Sequence, residues 1–197
     1  MVLRDLRLLT AILAMMIVID ALWTPVILLW ATIFPAAYQG LILPAATSVD
    51  IAAMVFKIAT MILFCVWIYI AGGNLIQADV EDLDFTPASR IWWFIVPIAC
   101  WFKPFQGMRE LWNASRGILP YDTNENLVAA WWALWLISGM VAWFSGAIAG
   151  ANGSNLTGLW VSSAVDIALC VVAIMLIRGI AQGQRTLDGS NLSEVFA

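Results

Sequence analysis

The stretch IWWFIVPIACWFKPFQGMRELW, Ile91 to Trp112, decides how the whole chain is organised. Its continuous apolar run, Ile91 to Phe102, has 12 residues. At 1.5 Å rise such a run covers about 18 Å of a hydrocarbon core about 30 Å thick. Pro97 interrupts helical hydrogen bonding within it. Pro104 suits the first turn of a new helix. In that helix Phe105, Met108, Leu111 and Trp112 fall on one face, and Gln106, Arg109, Glu110 and Asn113 on the other. This is the pattern of a helix lying at a membrane interface.

Four longer segments flank it, at residues 8–34, 49–71, 127–150 and 157–180. Each has the roughly 20 apolar residues that a spanning helix needs. Ser48 is placed to cap the second, and Gly72-Gly73 to stop it. The basic start at Arg4 and Arg7 leads into an apolar run much longer than the h-region of a signal peptide, so a retained first helix is expected.

Charge placement chooses between four crossings and five. If residues 91–115 return to the side they came from, Arg4, Arg7, Arg90, Lys103, Arg109, Arg116, Arg178 and Arg185 share that side. The opposite loops, Pro35 to Ser48 and Ala151 to Leu156, carry no lysine or arginine. The positive-inside rule then makes that side, with both termini, cytoplasmic. The expected fold is an all-α integral membrane bundle. It is one domain over residues 1–197, with four transmembrane helices and a re-entrant or interfacial segment at 91–115.

Composition agrees. The 197 residues are 63% hydrophobic and 11% charged, with mean hydropathy +0.91. So few charges cannot cover a water-facing surface. The net charge of −4 argues against nucleic acid as a partner. Histidine is absent, which removes the commonest general base, metal ligand and haem ligand. Cys65, Cys100 and Cys170 stand in apolar runs without metal-ligand spacing, as small buried hydrophobes do. No metal, catalytic site or resident cofactor is expected.

Twelve tryptophans are present. Trp92, Trp93, Trp101, Trp112, Trp131 and Trp132 flank the cytoplasmic interface, where indoles anchor. A stacking site for a lipid, quinone or carotenoid ring is the sharper alternative. With Lys103, Arg109 and Arg116, residues Trp92, Trp93 and Trp112 are the expected contacts to lipid head groups.

Charged residues inside the spans are functional candidates. They are Asp20, Asp50, Lys57 and Asp166. Asp50 suits a helix start. Lys57 has no acid four residues away, so an interhelical pair with Asp20 or Asp166 is expected. Gly139, Ala142, Gly146 and Ala149 recur every three or four residues, a seam for close helix packing inside the bundle or against another subunit. The acidic run Asp79, Glu81, Asp82 and Asp84 reads as a solvated loop.

The central region resembles a known family. The resemblance rests on Trp67, Tyr69 and Asn74-Leu75, then Trp93, Phe94, Pro97 and Ile98, then Lys103-Pro104 and Met108-Arg109-Glu110-Leu111-Trp112. Trp131-Trp132 and a closing helix ending near Arg178 and Gln182 fit as well. The family is an uncharacterised bacterial membrane family, domain of unknown function 4328. Ile70 departs from it, where a basic residue is expected in relatives. The resemblance implies the architecture and a bacterial inner membrane, and brings no activity.

The functional expectation is a non-catalytic accessory or assembly subunit of a larger membrane complex, with membrane lipids and other membrane subunits as partners. The alternative is a small ion- or lipid-coupled transporter or channel using Asp20, Lys57 and Asp166. A lipid-interface enzyme ranks third.

Overall fold

Arg7 to Ile33 forms the first helix, α1, of 27 residues. In the computed structural model, which describes residues 3–152 and 156–195 and the side chains of 3–144 and 157–187, the helix continues through Pro25. It ends at Phe34, whose φ of −126° and ψ of 61° leave the helical region. Four more helices follow the connection that comes next: α2 Ala46–Gln77, α3 Ser89–Trp92, α4 Lys103–Ser115 and α5 Asn126–Asn152. The last, α6, is Leu156–Val195. The chain is all-helical, with 81% of it in helix and no strand among the described residues.

Four helical segments are long and apolar enough to cross a membrane: Arg7–Ile33, Pro35–Gln77, Asn126–Phe144 and Thr157–Leu187. They correspond to the four spans expected from sequence, but their ends differ for physical reasons. The connection expected at 35–48 is helical. One turn at Pro35–Ala37 leads into a π-helical turn at Tyr38–Ile42 and a 3₁₀ turn at Leu43–Ala45. Pro35 and Pro44 both sit in first turns, where a missing N–H costs no hydrogen bond.

Gly72-Gly73 does not stop α2, which runs on to Gln77. Gly72 is instead a packing position. A Cβ there would lie 2.7 Å from Arg90 Nη1 and 3.3 Å from Pro87 Cα. The helix ends where Asp79 takes a φ of 54°.

Residues 91–115 do not form one helix. After α3 the chain turns, Ile98 takes a φ of 68°, and a 3₁₀ turn at Ala99–Trp101 leads into α4. A β-branched residue at positive φ is strained. Ile98 is also 78% exposed, with Trp92, Ile95, Val96, Trp101 and Phe102 exposed around it in sequence.

The chain clusters into two compact units. The first takes the described residues of Met1–Ala14, Leu63–Trp132 and Val172–Ala197. Its core holds Leu13, Trp67, Ile68, Leu75, Met108, Leu111, Val128, Leu176, Ile177 and Ile180. The second takes Met15–Ile62 and Ala133–Val171. It buries little: Ala21, Pro25, Leu28, Thr60, Ser163 and Cys170 are its buried residues among those described. Large apolar side chains such as Leu22, Met54, Ile58, Met140 and Trp143 stand open.

Candidate functional site

In the first unit, α4 is enclosed by its neighbours. Its apolar Met108, Leu111 and Trp112 are buried, and so are Glu110, Asn113 and Ser115. The expected division into an apolar face and a solvated polar face therefore fails at Glu110 and Asn113. Each has found a partner inside the protein.

Glu110 Oε1 accepts from Arg90 Nη2 at 2.5 Å. Its two carboxylate oxygens also accept the backbone N–H groups of Asp84 at 2.7 Å and Phe85 at 3.2 Å. The side chain thus ties α4 to α3 and to the segment before α3. Arg90 is 2% exposed, and its Nε donates to Gly107 O. Burial holds the Arg90 guanidinium below its ordinary range and pushes the Glu110 carboxyl above its own, while their mutual attraction opposes both shifts. Asn113 Nδ2 donates to the carbonyls of Tyr121 and Thr123, folding the loop after α4 back onto it.

A second buried network joins α2, α6 and the N-terminal segment. Asn74 Oδ1 accepts the backbone N–H of Arg4, and its Nδ2 donates to Arg4 O and to Gln184 Oε1. Gln184 Nε2 donates to Ala71 O and Ser115 Oγ. Trp67 Nε1 donates to Thr10 Oγ1 at 2.9 Å. Each polar group is satisfied by another element, which is the condition for polar groups to be tolerated in a core.

The close approach of α4 to α6 is made by glycines. A Cβ at Gly179 would enter the Trp112 ring, and one at Gly183 would strike Ser115 O. These glycines lie four residues apart, the small-xxx-small spacing that lets backbones meet. Gly183→Val should therefore destabilise the folded protein by about 1–3 kcal/mol, since Ser115 O is backbone and cannot rotate away. Thermal denaturation in detergent would measure the loss. A midpoint equal to that of wild type would contradict this contact.

The interface residues expected from sequence separate into two groups. Trp92 is exposed, and Trp93, Lys103 and Arg109 are half-buried. Trp112 is buried against Gly179, so it is no surface contact, and Trp131 and Trp132 are buried too. The basic side chains lie over rings. Lys103 Nζ is 5.5 Å from the Phe85 centroid, and Arg116 Cζ is 4.6 Å from the Trp112 centroid. Arg109 Nη1 donates to Asn124 Oδ1.

In the second unit, Lys57 Nζ stands 3.2 Å from Asp20 Oδ2. Asp166 is not its partner; Asp166 Oδ1 accepts from Ser138 Oγ. The Lys57 side chain is 57% exposed and that of Asp20 25%. Asp20 is the middle residue of α1. The small-residue seam is open where its side chains are described. Ala142 is exposed, and a Cβ at Gly139 would meet nothing within 4 Å. Gly146 and Ala149 lie outside the residues whose side chains are described. The acidic residues Asp79, Glu81, Asp82 and Asp84 are exposed.

Sequence reasoning placed Arg90 among the basic residues of the cytoplasmic side and missed its pairing with Glu110. It also missed Asn74 with Gln184, Trp67 with Thr10, and Ser138 with Asp166. The close approach of α4 to α6 did have a readable signal. The Gly179-x-x-x-Gly183 spacing stands in plain sight, straddling residue 180, the end expected for the fourth span.

Residues 44–182 match the family model described as Domain of unknown function (DUF4328). The chain belongs to this family. No curated protein matches it. No solved structure matches it either. Within the DUF4328 region, the residues that carry the resemblance to the family are chiefly structural. Trp67, Asn74, Leu75, Met108, Glu110, Leu111, Trp112, Trp131 and Trp132 build the core of the first unit or its hydrogen bonds.

Proposed function

We propose that this DUF4328 protein is a non-catalytic multi-pass protein of a bacterial inner membrane, acting as an accessory or assembly subunit of a larger membrane complex. In this reading four helices span and both termini are cytoplasmic. The 91–115 segment enters and leaves on that same side, its exposed Trp92, Ile95, Ile98 and Trp101 dipping toward lipid and Lys103 staying at the head groups.

One observation carries the assembly reading. Lys57 and Asp20 form an ion pair near the midpoint of two candidate spans, yet more than half of the Lys57 side chain is uncovered. A charge facing hydrocarbon at that depth costs about 2.5–3.5 kcal/mol on insertion scales. Covering by another protein removes that cost. The open Gly139 and Ala142 in the same unit supply a face that another helix can approach closely.

The test is a photo-reactive amino acid at Ala142 or at Ile58, one residue after Lys57, in cells. The expected products are discrete adducts with another membrane protein that also co-purifies in mild detergent. Lipid adducts alone at both positions would end the assembly reading and leave the four-span placement standing.

A further inference from the structure

Asp166 stands apart from the other charges of its unit. The second unit contains one cationic residue, Lys57, and that ammonium is engaged by Asp20. Asp166 has no cationic side chain within salt-bridge distance among the described residues. Its observed partner is neutral, Ser138 Oγ on α5, at 2.5 Å. One turn earlier on α6, Ser163 is 2% exposed, and its hydroxyl has no hydrogen-bond partner. Residues three apart share a helix face, so Ser163 lies on the Asp166 side of α6. A buried hydroxyl of this kind ordinarily satisfies itself on the carbonyl four residues back. That this one does not marks it as unused coordinating capacity.

We propose that Asp166, Ser138 and Ser163 form a binding site for a single alkali-metal cation between α5 and α6. Carboxylate and hydroxyl oxygens are hard ligands suited to a hard cation. One carboxylate neutralises one monovalent ion, whereas a divalent ion would leave a net positive charge at this depth. The ion satisfies the carboxylate and the orphaned hydroxyl together, and it holds two helices of a unit that buries little else. The inference rests on the four-span placement but not on the assembly reading.

The experiment has two stages. Resistance of the protein to extraction by alkaline carbonate comes first; release into the supernatant would refute the four-span placement itself. The thermal midpoint of the detergent-purified protein is then followed against NaCl and KCl, with choline chloride at matched ionic strength. A saturable rise with Na⁺ or K⁺ over choline is expected. Asp166→Asn should abolish it, and Ser163→Ala should raise the half-saturating concentration about tenfold, as loss of one oxygen ligand implies.

Equal responses to choline, or a rise that survives in Asp166→Asn, would overturn the site. So would a half-saturating concentration unchanged in Ser163→Ala. A response to pH with no preference among cations would assign the carboxylate a proton and overturn it as well. If Asp166→Asn does not fold, Ser163→Ala decides, because it leaves the carboxylate in place.

Discussion

Glu110→Ala is expected to destabilise the folded protein by about 3–5 kcal/mol, the cost of removing one partner from a buried ion pair. The whole stability of a domain is about 5–15 kcal/mol, so much of the population would unfold. Three losses add. Arg90 keeps its charge in a site where it is 2% exposed. The backbone N–H groups of Asp84 and Phe85 lose their acceptor. The tie between α4 and α3 is cut. Replacing both partners, Arg90→Met with Glu110→Leu, should recover most of the loss, because no buried charge then remains and similar volume is kept. The recovery stops short of complete because the two N–H groups stay unpaired. Denaturation of the detergent-purified variants gives the comparison. A loss under about 1 kcal/mol in Glu110→Ala would mean that water reaches the pair.

That pair also shows where sequence reading reached its limit. The long elements were legible because their apolar runs have few competing readings, and the positions of α1, α2, α5 and α6 follow from them. Pro104 marked the start of α4 correctly, since a proline in a first turn is a local signal. The face of α4 was misread because amphipathicity has two physical sources. Polar residues on one side of a helix can face water, or they can face other polar groups inside a protein. The local pattern is the same. Glu110 is distinguished only by Arg90, 20 residues earlier, and by two N–H groups freed by an irregular segment. None of these is visible in the periodicity of α4.

The glycines were misjudged for a related reason. Gly72 reads as a helix stop if propensity alone is weighed. It is kept in the interior of α2 because Arg90 must pass it. A close approach is a fact about two segments, and sequence spacing within one of them records half of it. The candidate pair in the second unit was more accessible. A lysine within an apolar span needs an acid, and few acids were on offer. Choosing Asp20 over Asp166 required the geometry, and Ser138 as the partner of Asp166 had no signal that sequence could weigh.

The last prediction uses that pair to test where it sits. If Lys57 and Asp20 lie in hydrocarbon, reversing one charge places two like charges within contact of each other at a depth where a single one costs about 2.5–3.5 kcal/mol. Every 1.4 kcal/mol is a factor of ten. Asp20→Lys alone should therefore cut carbonate-resistant, folded protein to about a tenth of wild type or less. Lys57→Asp alone should do the same by pairing two carboxylates. The double exchange, Asp20→Lys with Lys57→Asp, restores opposite charges at the same separation and should recover most of the inserted protein. In water the same reversal would cost little, because exposed pairs contribute about 0–1 kcal/mol and their like-charged versions are screened. The size of the single-exchange effect thus reports the surrounding medium. Single variants that accumulate as wild type does would place the pair in an aqueous setting and remove the observation on which assembly rests. A double exchange that inserts but no longer co-purifies with partners would locate the contact at these two side chains, since the partner would then read their order as well as their presence.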